Sequence, residues 1–260
     1  MKRRDAVLLA FLVFLLVAVN YNFLDKGLTD FLKDYKDTSV SRVIDGDTIV
    51  TSEGEHIRLL GINAPETSSK EKYALEAKQY LSNLTLNKSV RLEVKGQDLY
   101  NRTLAYVLLG GENVNEKIIE SGLANFYFPE GKDEHYSEFK GAWGSCISKG
   151  INLCRKSSGA CSQCIILENL DVKSQEAVFR NNCSFQCNLT GWQIKDEGRK
   201  EFNFPPFILG SGREVDVKVG NKSGNQSVLF WPGYSYVWTS SGDTLFLRDE
   251  NHDLVLWRNY

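Results

Sequence analysis

Apolar positions change their spacing several times along this chain, and each change predicts an element. From Ser39 to Val50 β-branched residues dominate, His56 to Ile62 repeats a strand pattern, and Thr51 to Glu55 between them reads as a turn, so a hairpin is expected. After Pro65, Ser68 and Glu71 stand at capping-box spacing. Tyr73, Ala77, Tyr80, Leu81 and Leu84 then recur at helical intervals, which predicts a helix over about Ser69 to Leu84. Val90, Leu92 and Val94 alternate, and Thr103 to Leu109 form an apolar run closed by Gly110-Gly111, giving two more strands. Val114, Ile118 and Ile119 stopped by Gly122, and Tyr136, Phe139, Trp143 and Ile147 stopped by Gly150, predict two further helices. Strands, a helix, more strands and two helices, in that order, is the pattern of a small barrel with helices against it. From Ser157 the chain turns to Ser, Gly and Cys, then to short strand-like runs with no helical period through Tyr260, which reads as an all-β sandwich. The expected class is therefore α+β: a five-stranded barrel with three helices, followed by an all-β immunoglobulin-like sandwich.

A chain of 260 residues exceeds the usual size of one domain, in keeping with this division. The hydrophobic share of 42% and charged share of 25% fit a folded protein, with no low-complexity tract or internal repeat. Lys+Arg 31 against Asp+Glu 33 gives a net charge of -2, which excludes the basic sheath of a protein that coats nucleic acid. Any phosphate-binding surface must be local. Lys2-Arg3-Arg4 precedes an unbroken apolar run from Ala6 to Val19, trailing to Leu24, with no good cleavage site after it. We read residues 1–24 as an uncleaved membrane anchor, with cleavage and secretion as the other outcome, and the basic cluster would keep everything from Asp25 onward outside the cytoplasm. Residues 25–37 are then a linker, 38–156 the barrel domain, 157–164 a Cys-containing linker and 165–260 the sandwich.

Seven Asn-x-Ser/Thr sequons, at Asn83, Asn87, Asn101, Asn182, Asn188, Asn221 and Asn225, agree with that compartment. So does an even set of six cysteines: Cys146, Cys154, Cys161, Cys164, Cys183 and Cys187. Outside the cytoplasm such a set pairs as disulfides. The spacing Cys161-x-x-Cys164 with Cys183-x-x-x-Cys187 also suits a four-thiolate Zn²⁺ site, which compartment makes the less favoured reading. Connectivity is not legible from spacing.

Candidate chemistry gathers in three stretches: Ile44 to Val50 (IDGDTIV), Ile57 to Thr67 (IRLLGINAPET) and Asp98 to Val107 (DLYNRTLAYV). In an extended chain Asp45 and Asp47 face the same way, so both carboxylates could enter one pocket. The plain alternative is that Asp-Gly is hairpin-turn chemistry. Arg58 lies among apolar neighbours on the second strand, Glu66 follows the Pro65 turn, and Arg102 enters a strand from a turn. Carboxylates beside two arginines suit a hard cation and a phosphodiester, because guanidinium forks and a divalent ion oppose the charge that builds on phosphoryl oxygens.

In this order and spacing, the motifs IDGDT, RLLGI-x-x-PE and Tyr-x-Arg-x-Leu-Ala-Tyr resemble the thermonuclease family, typified by staphylococcal nuclease, over about Thr38 to Arg155. The resemblance implies an oligonucleotide-binding barrel that hydrolyses DNA and RNA with Ca²⁺, leaving a 3′-phosphate. It implies Asp47 as the main calcium carboxylate with Asp45 in support. Glu66 would be the general base or water-positioner, and Arg58 and Arg102 the phosphate-binding arginines. Asn63 and the backbone oxygen of Ala64 stand where the family has a second aspartate and a threonine, so one negative charge is missing and weaker calcium binding is expected. A phosphate-contacting lysine of the family is replaced by Leu99, whereas Tyr100 is kept. Tyr127 is a candidate for base stacking, with a place in the core as its plain alternative.

Asn188-Leu-Thr-Gly-Trp192, Ile194-x-Asp196, Ser241-Gly-Asp-Thr-Leu245 and Leu247-x-Asp249 resemble the lamin-tail domain over about Cys164 to Tyr260. Trp192, Trp231, Trp238 and Trp257 read as core or turn anchors, and Asp196, Asp243 and Asp249 as turn residues. No second catalytic constellation is visible there, and the domain's ligand is not legible. The expected function is an extracytoplasmic nuclease acting on DNA and/or RNA with a C-terminal binding or tethering module. A non-catalytic nucleic-acid- or protein-binding surface module is the alternative.

Overall fold

The β-branched run that reads as one strand folds back on itself at Asp45-Gly46-Asp47. In the computed structural model, which describes residues 12, 14–20 and 35–260, β1 (Tyr35–Asp45) ends there and β2 (Thr48–Thr51) returns antiparallel with Asp45 opposite Thr48. The Asp-Gly-Asp segment is thus a hairpin turn rather than extended chain, the plain reading of Asp-Gly, and the two carboxylates do not share one strand face. Gly46 is required by close approach rather than by its φ angle. A Cβ there would lie 2.5 Å from Ala77 Cβ and 2.8 Å from Ala64 Cβ, so this corner sits hard against the helix and the loop that carry its neighbours.

β3 (His56–Leu59) pairs with β2, and the N-terminal half of β1 pairs with β5 (Ser89–Gln97), which pairs with β6 (Thr103–Leu109). Parallel pairing of β3 with β6, Arg58 opposite Leu104, closes these five strands into a barrel. Val40, Ile49, Ile57, Leu92, Ala105 and Val107 fill its interior with neighbouring buried residues. A short pairing of β4 (Ile62–Asn63) with β8 (Asn125–Phe126) sets Asn63 directly across from Asn125.

Three helices pack on the barrel: α1 (Ala74–Thr85), α2 (Val114–Glu120, following the short β7, Glu112–Asn113) and α3 (Tyr136–Lys149). α1 starts five residues later than its periodicity suggests and does not use the expected capping box. Its N-cap is Tyr73, without a side-chain bond. Thr67 instead gives both its N–H and its hydroxyl to Asp45, and Glu71 N donates to Glu66 O at 3.2 Å, holding the segment as turns at the barrel edge. The Asn113 side chain caps α2, and Gly150, at φ 62°, ends α3 in the left-handed conformation where the sequence placed the stop.

Residues 165–260 are all β apart from turns. β9 (Ile165–Asp171), β10 (Glu176–Asn181), β15 (Glu214–Val219) and β16 (Val228–Trp231) form one four-stranded sheet. β12 (Gln193–Lys195), β13 (Glu201–Asn203), β17 (Thr244–Arg248) and β18 (Leu254–Asn259) form another. β11 (Cys187–Asn188) and β14 (Ile208–Leu209) make a small third pair. Phe179, Val215 and Trp231 from one large sheet and Ile194, Leu245 and Leu247 from the other share a single core. All six cysteines are bridged, Cys146–Cys154, Cys161–Cys187 and Cys164–Cys183, so the thiolates a Zn²⁺ site would need are consumed.

The two halves do not keep separate cores, because β17 is buried on both faces. Leu245 and Leu247 point into the C-terminal core, whereas Phe246 packs into the barrel's cluster along with Leu254 and meets Trp143 of α3 at 5.4 Å between ring centroids. Trp257, opposite Phe246 on β18, lies 6.4 Å from Trp143 between ring centroids. Polar ties frame this seam. Asp253 accepts from Lys72 at 3.1 Å and from Arg155 at 2.8 Å, and buried Arg248 donates to Leu153 O at 2.7 Å. Among the described residues no helix is long and apolar enough to cross a membrane. The expected anchor falls largely on residues outside that description.

Candidate active site

Four segments meet at one edge of the barrel: the β1–β2 turn with Asp45 and Asp47, strand β3 with Arg58, the chain from Asn63 to Glu66, and the turn before β6 with Arg102. Asp47 is buried, with 2% of its surface exposed. Its Oδ2 accepts from Arg58 Nη2 at 3.0 Å and from Ala64 N at 3.1 Å, and its Oδ1 from Thr48 Oγ1 at 3.0 Å. Arg58 is also buried and gives Nη1 to Leu59 O at 2.8 Å. Burial lowers its guanidinium pKa, Asp47 opposes that shift, and the positive charges of Arg199 and Arg102 add to it. Arg58 therefore feels both of the other arginines across the cleft.

Glu66 is pushed above the ordinary carboxylate range, first by burial and then by the negative charges of Asp47, Asp45 and Glu71, while Arg199 works the other way. Asp45 Oδ1 takes both donors of Thr67, so it braces the segment that carries Glu66. Arg102 is fixed from below. Asp98 Oδ2 accepts from its Nε at 2.7 Å, and Asp98 Oδ1 accepts from Tyr100 N and Arg102 N at 2.8 and 3.0 Å. Tyr100, 82% exposed, lies under the guanidinium, whose Cζ is 5.6 Å from the ring centroid. Leu99 beside it is fully exposed. Tyr127 is half-buried, its N–H on Gly61 O at 2.8 Å and its ring edge against Gly198 of the second half. Tyr100 thus offers the more open ring.

Whether these residues suit a cation is decided by Asn63. It is buried, its Nδ2 donates to Gly198 O at 2.8 Å, and its Oδ1 has no hydrogen-bond partner among the described residues. Turning the amide over would set two oxygens against each other, so the carbonyl donor fixes which way it points. An orphaned buried oxygen costs roughly 1–3 kcal/mol, and a hard divalent cation would satisfy it. Asp47, Asn63 and the Ala64 backbone oxygen, with Asp45 nearby, supply oxygen only, the chemistry such an ion prefers.

Several participants were not legible in the sequence. Asp98 had a faint signal, four residues before an arginine. The loop Asp196–Lys200 had none, since its partners lie far away in the chain. Asn63 and Asn125, facing each other across β4 and β8, donate to the successive carbonyls of Gly198 and Glu197 at 2.8 and 2.7 Å. Glu197 accepts Phe128 N at 3.1 Å and Thr244 Oγ1 at 3.1 Å, and Arg199 forms an ion pair with Glu66.

Fold and cleft together define a class: a closed five-stranded barrel with three helices whose edge sets carboxylates, an amide oxygen and arginines around one point. Residues 56–153 match the family model described as Staphylococcal nuclease homologue. The chain is 42% identical over 104 residues to a thermonuclease of Staphylococcus hyicus, covering 36% of this chain and 62% of that protein. It is 41% identical over 104 residues to a thermonuclease of Staphylococcus intermedius, with the same coverage of 36% and 62%. An uncharacterized endonuclease of Haemophilus influenzae is 35% identical over 118 residues, 44% of this chain and 64% of that protein. The chain spans less than two thirds of each of these relatives, and none of the three matched segments takes in half of this chain.

Proposed function

We propose that this protein is a metal-dependent endonuclease that hydrolyses phosphodiester bonds of DNA and/or RNA. The observation that carries the reading is the meeting of Asp47, Glu66, Arg58 and Arg102 at one barrel edge with the Asn63 Oδ1 left unpaired. The relatives named thermonuclease and endonuclease support it. Asp47, Asn63 and the Ala64 oxygen would hold the ion with Asp45 in support, and Ca²⁺ is favoured by the resemblance and by an all-oxygen donor set. When bound, that ion would neutralise phosphoryl charge and acidify a water.

The chain's own residues supply the rest. Glu66 takes the proton of the attacking water, a role its burial suits by raising its basicity. Arg58, locked by Asp47 and Leu59 O, and Arg102, locked by Asp98, present preset guanidinium forks to the equatorial oxygens as negative charge grows there. Neither fork needs to reorganise during reaction. Tyr100 offers an exposed ring beside Arg102 on which a base of an unstacked strand could lie.

The C-terminal half is in our reading a lamin-tail-like, immunoglobulin-like sandwich serving as a binding or tethering module, supported by its two sheets around one core. An extracytoplasmic place, by anchor or secretion, is supported by the basic and apolar N-terminus and by three disulfides. All seven sequon asparagines are exposed. The test is hydrolysis of single-stranded DNA by the full chain with Ca²⁺ and with chelator, beside Glu66→Gln and Arg102→Ala. Calcium-dependent cleavage lost in both variants is the expected result. Binding without cleavage by the folded parent would favour the non-catalytic module.

A further inference from the structure

Arg199 belongs to the C-terminal half by sequence and to the barrel's cleft by position. It stands at the tip of the β12–β13 hairpin, its side chain 56% exposed, with one Nη on the Glu66 carboxylate. That single contact leaves most of its five N–H donors open at the cleft. We propose that Arg199 is a third phosphate-binding residue of the site, contributed by the second domain, gripping the backbone of a bound single strand alongside Arg58 and Arg102. The proposal rests on the nuclease reading for its ligand, a phosphodiester chain, but concerns binding and not the chemical step.

Two observations carry it. The hairpin tip is bolted in place rather than laid over the cleft. Asn63 and Asn125 hold its two carbonyls, Phe128 N and Thr244 Oγ1 hold the Glu197 carboxylate, and Glu197 N donates to Asp243 Oδ1 at 3.2 Å. The tip packs closely there: a Cβ on Gly198 would lie 3.3 Å from Asp196 Oδ2 and 3.4 Å from Tyr127 Cε2. A tip held by this many bonds to the barrel and to Asp243 and Thr244 is resident in the site, unlike a lid that must leave before substrate enters. Charge is the second observation. Each arginine of the cleft has one carboxylate, Arg58 with Asp47, Arg102 with Asp98 and Arg199 with Glu66, and Arg58 feels the other two as repulsive neighbours. A cation repelled by two neighbouring cations is relieved by an anion placed among them.

The experiment measures affinity of the full chain for a short single-stranded DNA in chelator, where no hydrolysis need be assumed, over a series of salt concentrations. Arg199→Ala should weaken binding by about tenfold at low salt, the value of one charge-assisted contact. It should also reduce the slope of log K against log salt by about 0.7, one phosphate on a single strand. Arg199→Lys should regain most of the affinity, and Glu66→Gln, which frees the guanidinium and removes a negative charge, should raise it. A role confined to holding the hairpin would show as equal weakening by Glu66→Gln and Arg199→Ala with an unchanged slope, and would overturn the proposal. Tighter binding or faster cleavage by Arg199→Ala would overturn it in favour of a blocking contact. A parent that binds DNA with this Arg199 dependence but never cleaves it leaves the proposal standing and removes the nuclease reading. A parent that cleaves with no difference from Arg199→Ala does the reverse.

Discussion

Replacing Glu197 by glutamine should stabilise the protein at neutral pH and do little in acid. Burial pushes the Glu197 carboxyl up from 4.5 to about 7, with Asp243 and Asp196 adding to the shift and the Phe128 and Thr244 bonds opposing it. The group sits where the hairpin tip meets the barrel, 6% exposed, so little solvent screens it. The sign follows from proton counting. Between pH 4.5 and about 7 the folded chain keeps a proton on Glu197 that the unfolded chain has released, so stability is fully present below 4.5 and falls as pH rises through the window. At roughly 1.4 kcal/mol per pH unit, the loss amounts to about 3 kcal/mol. Glutamine keeps an oxygen for Phe128 N and an amide toward Thr244 Oγ1, and it cannot ionise. Urea midpoints followed by tryptophan fluorescence at pH 4.5, 6, 7 and 8 should show parent and Glu197→Gln nearly equal at the lowest pH. The variant should lead by about 3 kcal/mol at the highest. A difference that does not change with pH, or a variant weaker throughout, would refute the placement of a strained carboxyl at this seam.

Two further outcomes follow from the cleft. Asn63→Asp removes the only donor to Gly198 O recorded for that side chain and sets a buried carboxylate against a carbonyl, so unfolding free energy should drop by about 1–3 kcal/mol. Calorimetry should show Ca²⁺ binding tighter through the added charge, and an unchanged urea midpoint would refute the hydrogen bond. Asp98→Ala releases both the Arg102 guanidinium and the turn that carries it, so kcat should fall by about tenfold to a hundredfold, the usual effect of misplacing a charged group by about an ångström. Steady-state kinetics unchanged from the parent would show that Arg102 needs no such brace.

Where a residue's role depends on its neighbours in the chain, the sequence was sufficient. Alternation in Val90, Leu92 and Val94, the helical spacing before Gly122 and Gly150, and the shift to an all-β half all rest on local periodicity, and each appears in the structure. The cleft residues Asp47, Arg58, Asn63 and Glu66 were legible for a related reason, as they lie within 20 residues on one hairpin and the loop that follows it. Local reading failed where a distant group outbid a local one. The Ser68–Glu71 cap gave way because Thr67 and Glu71 bond to Asp45 and Glu66.

The sequence by itself determined a barrel with three helices, an all-β second half, and carboxylates and arginines at the barrel's edge. Only the tertiary structure decided which cysteines pair, that Phe246 and Leu254 complete the barrel's core, and that Asn63 meets Gly198 and Glu66 meets Arg199 across 135 and 133 positions. The reason is physical. A strand shows one face to a sequence pattern through its alternation, but β17, buried on both faces, carries no sign of which partner each face will find. That choice is made by the fit of two surfaces, and it brings the second domain's arginine into the first domain's cleft.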